Sequence, residues 1–390
     1  MLALKLAVKN LKGAGLRTWL NVIVLSFSYV LIVWMQGIYV GMGEQITRAM
    51  IDSEIGGGQY WHVKYDPYDP LTLDDSHAPV PSELRDLINT KKATPILIRQ
   101  AAVYAGGRMR TILMKGIDPG QQVLDIPASG ISVAIEELPV LIGTRMAKSA
   151  GLKKGDYFTI RWRDANGVFD AVDGKVVEIM ETPVQAIDSG QIWVPLEWMR
   201  KMTGMPDEAT IIVNSKQITS GADLPGWSFK GYDYLLEVVR MLVKSKSTGG
   251  SIMYMFLLLL AGLAIFDTQV LAIFRRRKEI GTMISMGLTR ANVVALFTFE
   301  GAMHGVLAAL FGAIYGIPLI AITAMKGFPL TEAHGEMGLA LGTRLYPVYS
   351  VALVIGTVIL VMTTVIIVSY LPSRKISKMN PTDAIRGKTS

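Results

Sequence analysis

Four long stretches of this 390-residue chain are almost free of charge, and they constrain its fold more than any other feature. Trp19 to Met42 contains no charged residue. As a helix, those positions rise roughly 36 Å, enough to cross a bilayer with some tilt. The stretch is too long for the apolar core of a cleaved leader and shows no small-residue cleavage pattern, so it reads as a retained first span. Pro347–Leu371 is equally free of charge. Ile252–Phe274 carries one acid, Asp267, and Asn292–Met325 carries Glu300 and His304. The last of these is too long for one straight crossing and must tilt or start outside the bilayer, with Pro318 as a natural kink.

The predicted order along the chain is then as follows: an amphipathic cytoplasmic helix over 1–18, a first span over 19–42, and an extracytoplasmic domain over 43–250 ending in a stalk helix, 232–246. A second span over 252–274, a cytoplasmic loop with a short helix over 275–291 and a third span over 292–325 come next. An outer loop over 326–346, a fourth span over 347–371 and a cytoplasmic tail over 372–390 complete it. Only 18% of residues are charged, against about 25% in ordinary soluble domains, which supports the membrane reading. The net charge of +7 is no argument for nucleic acid, because the basic residues gather beside the apolar spans. Lys5, Lys9, Lys12 and Arg17 precede the first span, Arg275–Lys278 and Arg290 lie in the central loop, and Arg374, Lys375, Lys378, Arg386 and Lys388 lie in the tail. Loop 326–346 has only Lys326 and Arg344, balanced by Glu332 and Glu336. By the positive-inside rule both termini and the central loop are cytoplasmic. The chain has no cysteine, so neither disulfides nor thiol chemistry enters.

Residues 43–250 are of a different kind, with frequent charge, Pro and Gly. Strand-like segments are expected at Tyr60–Tyr65, Ile96–Tyr104, Arg110–Lys115, Tyr157–Arg163, Lys175–Met180 and Ile211–Asn214. In Tyr157–Arg163, Phe158, Ile160 and Trp162 alternate with Thr159, Arg161 and Arg163. Short helices are expected near Ser82–Ile88, Thr144–Ala150 and Pro195–Thr203, with Thr144 and Pro195 at their starts. Ser247–Ser251 (STGGS) reads as a hinge beyond the stalk. The fold class is therefore an integral membrane α-helical protein with four transmembrane helices and a large extracytoplasmic α+β domain.

The central loop is the most distinctive segment. After the basic run come Glu279, Ile280 and Gly281, and Ile280, Met283, Ile284, Gly287 and Leu288 recur on one face of a short helix. Such a helix between two spans is shaped to lie on the membrane or to dock into a partner's groove. An ordinary positively charged loop is the plainer reading of the same pattern.

Four patterns resemble the FtsX-like, or MacB-type, permease subunits of ABC transporters. They are RRRKEIGTMISMGLTRANVVALFTFEG (residues 275–301), VLIGTRMAKSAGLKKGDYFTIRW (140–162), ISKMNPTDAIRG (376–387) and LAVKNLKGAGLRTWL (6–20). In architecture the chain is closest to the lipoprotein-releasing LolC/LolE branch. The resemblance implies a domain of the MacB periplasmic core type, an inner-membrane location with that domain in the periplasm, and transmission of ATP-driven motion to it, with lipoprotein or another hydrophobic envelope molecule as cargo. It implies as partners a cytoplasmic ABC ATPase dimer, a second permease chain and a periplasmic adaptor or carrier. Membrane lipid surrounds the chain. No GxxxxGK[ST] phosphate loop is present: GAGLRT (13–18) and GGGQYW (56–61) lack the spacing and the lysine. The chain is thus expected not to be an enzyme and to bind no cofactor; ATP and Mg2+ belong on the partner ATPase.

The residues expected to couple to that ATPase are Lys278, Glu279, Ile280, Gly281, Met283, Ile284, Gly287 and Leu288. Glu279 also suits a helix start, where a carboxylate meets the dipole. Glu300 and His304 are four residues apart on the third span and are expected to hydrogen-bond each other as a satisfied interfacial pair, with a proton relay or metal site as the alternative. Asp267 is a costly intramembrane acid, expected to face protein in a subunit contact or helix packing, with ion coupling as the second reading. No catalytic residue and no metal ligand stand out. A membrane-anchored sensor or scaffold with an extracytoplasmic ligand-binding domain is the alternative. An enzyme would have to use the carboxylates Asp66, Asp69, Asp74 and Asp75.

Overall fold

A computed structural model describes residues 15–131, 137–182, 184–329 and 344–378. Most of the expected N-terminal amphipathic helix, of loop 326–346 and of the tail pattern lies outside the described residues. The chain divides into two compact units, with boundaries between Met42 and Gly43 and between Leu242 and Val243.

The first unit is helical. Helix α1 (Gly15–Met50) starts the chain's described part. Counting onward in chain order, five short helices lie in the second unit: α2 (Ser82–Asn89), α3 (Thr144–Ala150), α4 (Gln185–Gly190), α5 (Leu196–Thr203) and α6 (Tyr232–Leu235). They are followed by α7 (Glu237–Arg275), α8 (Arg277–Ser285), α9 (Arg290–Lys326) and α10 (Val351–Ser373). Among the described residues, four helices are long and apolar enough to cross a membrane: α1, α7, α9 and α10. The expected hinge at Ser247–Ser251 is helical within α7, and the stalk is interrupted instead at Leu236, between α6 and α7. Residues 347–350 precede α10 rather than belonging to it, and Ser350 caps that helix by accepting from the Leu353 N–H.

Small residues set the packing of these spans. Gly301, Gly305, Ala308, Gly312 and Gly316 are all buried on α9. A Cβ at Gly312 would meet Ser26 of α1 at 3.3 Å, and one at Gly305 would meet Met362 of α10 at 2.8 Å. Backbones therefore approach closely on both sides of α9. Close approach is how spans adhere where lipid removes the hydrophobic driving force. The shared core includes Val22, Leu25 and Ile32 of α1, Ile265 of α7, Ala308 of α9 and Val361 of α10.

The second unit is built on a nine-stranded sheet. Its strands are β1 (Gly58–His62), β3 (Ala93–Ala105), β4 (Arg108–Ile117), β5 (Leu138–Gly143), β6 (Tyr157–Arg163), β7 (Phe169–Met180), β8 (Gln191–Pro195), β10 (Ile211–Asn214) and β11 (Trp227–Lys230). The two-residue strands β2 (Ala78–Pro79) and β9 (Glu208–Ala209) pair separately. The order is β11-β1-β10-β3-β4-β8-β5-β7-β6, and β6 pairs again with β3. That last pairing, Ala101–Tyr104 against Thr159–Trp162, closes six strands into a small barrel. Its interior is filled by side chains such as Leu97, Val103, Met114, Val140, Ile160, Val176 and Val194, capped by Met146 of α3 and Met199 of α5. An eight-or-fewer-stranded barrel is narrow enough to be a packed core. The N-terminal end of β3 leaves the barrel to pair with β10, and β1 and β11 extend this wing over α2 and a second core of Tyr60, Leu84, Ile212 and Trp227.

β6 and β10 occupy the expected residues, as does α3. β5, β8 and β11 were not expected. LPVLIG and QIWVP are buried on both faces, so they lack the alternation that marks a half-exposed strand. Thr144 is the first helical residue of α3, not its cap; its hydroxyl donates to the Met180 carbonyl.

Candidate coupling segment

The link from α7 to α9 is short and rigidly built. Helix α7 ends at Arg275, Arg276 alone leaves helical geometry (φ −100°, ψ 17°), and α8 starts at Arg277. Helix α8 closes with Gly287 at φ +100°, which a side-chain-bearing residue rarely adopts. The Gly287 and Leu288 N–H groups satisfy the carbonyls of Ile284 and Met283. Thr289 then caps α9, its hydroxyl accepting from the Asn292 N–H at 3.3 Å.

The expected coupling residues divide between two faces of α8. Ile280 and Gly281 are buried, and Met283 and Ile284 are half-buried. Ile280 packs with Ile273 of α7, Val293, Val294 and Phe297 of α9 and Ile376 beyond α10, with Met283 and Ile284 at the edge. The apolar stripe therefore seats the helix on its own bundle. The outward face is Lys278, Glu279, Thr282 and Ser285, continued by exposed Met286, Gly287 and Leu288.

Arg276 joins what the sequence kept apart. Its Nη1 donates to both Glu300 carboxylate oxygens (3.1 and 3.0 Å), its Nε donates to Glu279 Oε2 (2.8 Å), and its guanidinium lies over the Phe297 ring. The expected Glu300–His304 pair forms differently. His304 Nδ1 donates to the Glu300 backbone carbonyl at 3.1 Å, while the carboxylate serves Arg276. Asp267 is exposed on the surface of α7 within this chain, so it does not pack against another helix of its own bundle. The signal for Arg276 was present as an Arg–x–x–Glu spacing within RRKE, a pair that meets on a helix or at its start.

In the second unit, the residues that continue α1 form one π-helical turn, Ile51–Ile55, seated by polar contacts. Lys115 on β4 is buried, donates to Glu54 at 3.0 Å and lies over the Trp193 ring. Lys216 pairs with Asp52. The carboxylates considered for chemistry are all occupied. Asp66 and Asp69 accept from the Tyr68 and Leu71 N–H groups, Asp74 pairs with Arg163 (2.9 Å) and Arg99 (3.4 Å), and Asp75 faces Lys64 (3.7 Å). His77 pairs with Glu208, and burial next to His77 and Lys64 holds the His62 pKa below its ordinary value. Among the described residues no three His, Asp or Glu side chains converge on a metal position.

Two long apolar helices joined by a short helix seated on α9 form this segment, and the comparisons bear on the same part of the chain. Residues 251–381 match the family described as FtsX-like permease C-terminal. The chain is similar at low identity to curated proteins whose names describe ABC transporter permeases and lipoprotein-releasing transmembrane proteins. An uncharacterized ABC transporter permease of Methanocaldococcus jannaschii is 27% identical over 41% of this chain and 40% of its own length. The lipoprotein-releasing system transmembrane protein LolC of Neisseria meningitidis is 22% identical over 75% of this chain and 77% of its own. The extracellular domain of the noncanonic ABC-type transporter YknZ from Gram-positive bacteria is similar in structure over 43% of this chain and 88% of that domain, at 14% identity and a TM-score of 0.27.

Proposed function

We propose that this chain is the permease subunit of an ABC transporter in the inner membrane, and that it transmits ATP-driven motion to its α+β domain on the periplasmic side. The observation that carries this reading is α8, a charged nine-residue helix between two spans, seated on α9 through Ile280 and presenting Lys278, Glu279, Thr282 and Ser285 outward. A cytoplasmic ATPase dimer docks on that outward face, holding ATP and Mg2+ itself. Closure of the ATPase presses α8, and α7 and α1 carry the movement outward. Both helices are unbroken, α7 over Glu237–Arg275 and α1 over Gly15–Met50, and an unbroken helix satisfies its own backbone within lipid.

Two ATPase subunits call for two permease chains, alike or different. The α+β domain is of the MacB periplasmic core type in this reading. It acts on lipoprotein or another hydrophobic envelope molecule, with a periplasmic carrier or adaptor receiving it. Both termini and α8 are cytoplasmic, in keeping with the basic residues around them.

Affinity purification of the tagged chain from its native membrane, with mass spectrometry of what is retained, tests this. An ATPase subunit is expected with the wild type and is expected to be lost from a Glu279→Arg, Thr282→Arg variant of the outward face. Absence of any ATPase under gentle detergent would overturn the reading and leave the membrane-anchored sensor or scaffold.

A further inference from the structure

A coupling helix works only if it cannot swing. Helix α8 is joined to α7 through the single non-helical residue Arg276, which is by itself a pivot. The Arg276 side chain closes that pivot. Its fork reaches Glu300 with both hydrogen bonds from Nη1, holds Glu279 of α8 with Nε, and stacks 5.0 Å from the centroid of Phe297. Phe297 and Glu300 are one turn apart on α9, so the ring and the carboxylate fix the guanidinium together. Phe297 and Ile280 of α8 belong to one buried apolar cluster. The planar fork sets direction as well as attraction, which a lysine ammonium does not. The site is sheltered: 26% of the Arg276 side chain and 17% of the Glu300 side chain remain exposed. Arg275 and Lys278, by contrast, are exposed.

We propose that Arg276, acting through Glu300, is the positioning residue that locks α8 to α9, so that a push on the outward face of α8 moves α7, α8 and α9 as one body. The proposal rests on reading α8 as the coupling helix. It assigns Glu300 a mechanical role in the span rather than a proton relay with His304, whose ring is engaged with the backbone.

The test uses spin labels at Ser285→Cys on α8 and Val306→Cys on α9, both exposed positions in a chain that has no other cysteine. Distances are read on the full chain in lipid nanodiscs, with and without a non-hydrolysable ATP analogue and whatever ATPase co-purifies. The unsubstituted pair should give one narrow distribution that the nucleotide leaves in place. Arg276→Gln and Glu300→Gln should each broaden and shift it. The double variant should be no broader than Arg276→Gln alone, because Glu300 acts on α8 only through Arg276. Arg276→Lys should recover part of the narrowing. Distributions as narrow in both glutamine variants as in the parent, or additive effects in the double, would overturn the clamp. These distances need no ATPase. ATPase retention is read separately on the unlabelled chain: its absence there with an intact clamp refutes the transporter reading alone, and its retention with unchanged distances refutes the clamp alone.

Discussion

Asp188 shows how far a single buried charge can set local geometry. It sits on α4, 3% exposed, with its carboxylate at the start of α3, beside the Arg145 and Thr144 backbone and 3.4 Å from Arg145 Nε. It fills the place a side chain at Gly143 would need: a Cβ there would lie 2.5 Å from Asp188 Oδ1. Burial outweighs these contacts and raises the Asp188 pKa. The folded state then holds its proton at pH values where the unfolded chain has lost it, so this group's contribution to stability falls as pH rises from about 4, the unfolded value, through the raised one. Thermal unfolding of Asp188→Asn beside the wild type should give a difference that moves in favour of the variant as pH rises across that window, and a flat difference would contradict this. Lys115 is the opposite case, a buried cation with both a carboxylate and an aromatic face. Lys115→Met strands Glu54 and should cost about 3 kcal/mol in denaturant unfolding, while adding Glu54→Gln should return part of that loss.

At the scale of elements, adjacent glycines in α7 have opposite meanings. Gly249 has open space where a Cβ would go, whereas a Cβ on Gly250 would meet the Tyr39 ring at 2.5 Å. Gly249→Ala should therefore stabilise the chain by about 1 kcal/mol through helix propensity. Gly250→Ala should destabilise it by about 1–3 kcal/mol through overpacking. Thermal unfolding in detergent reads both. If Ser247–Ser251 were a working hinge, Gly249→Ala would instead stiffen it and impair whatever motion passes through α7. The same logic separates the faces of α8. Periodicity found the apolar stripe Ile280, Met283 and Ile284, but a stripe says only that something covers it. Here the cover is Val293, Phe297 and Ile376 of the same chain.

At the scale of the whole molecule, the testable matter is which side of the membrane each segment faces. A chain without cysteine makes this direct. Ser285→Cys on α8 and Ser220→Cys in the α+β unit are both exposed. In intact cells a membrane-impermeant maleimide should label Ser220→Cys once the periplasm is open to it, and Ser285→Cys only after the inner membrane is broken. The reverse pattern would invert the proposed orientation and remove α8 from reach of a cytoplasmic ATPase.

Sequence alone determined the four spans, because long uncharged runs have no alternative to helices in lipid. It also determined the strands whose burial alternates, such as β6, and the short helix between the second and third spans. It could not determine β5 and β8, where burial on both faces erases the period, nor the β3–β6 pairing that closes the barrel, since register between distant strands leaves no local trace. Only the tertiary structure decided that Ile280 turns inward, that the Glu300 carboxylate serves Arg276 while the His304 ring bonds the Glu300 carbonyl, and that Asp267 packs on no other helix of its own chain. For Ile280 and Glu300 the deciding neighbour lies beyond the residue's own helix, and sequence spacing reports a residue's face without saying what meets it.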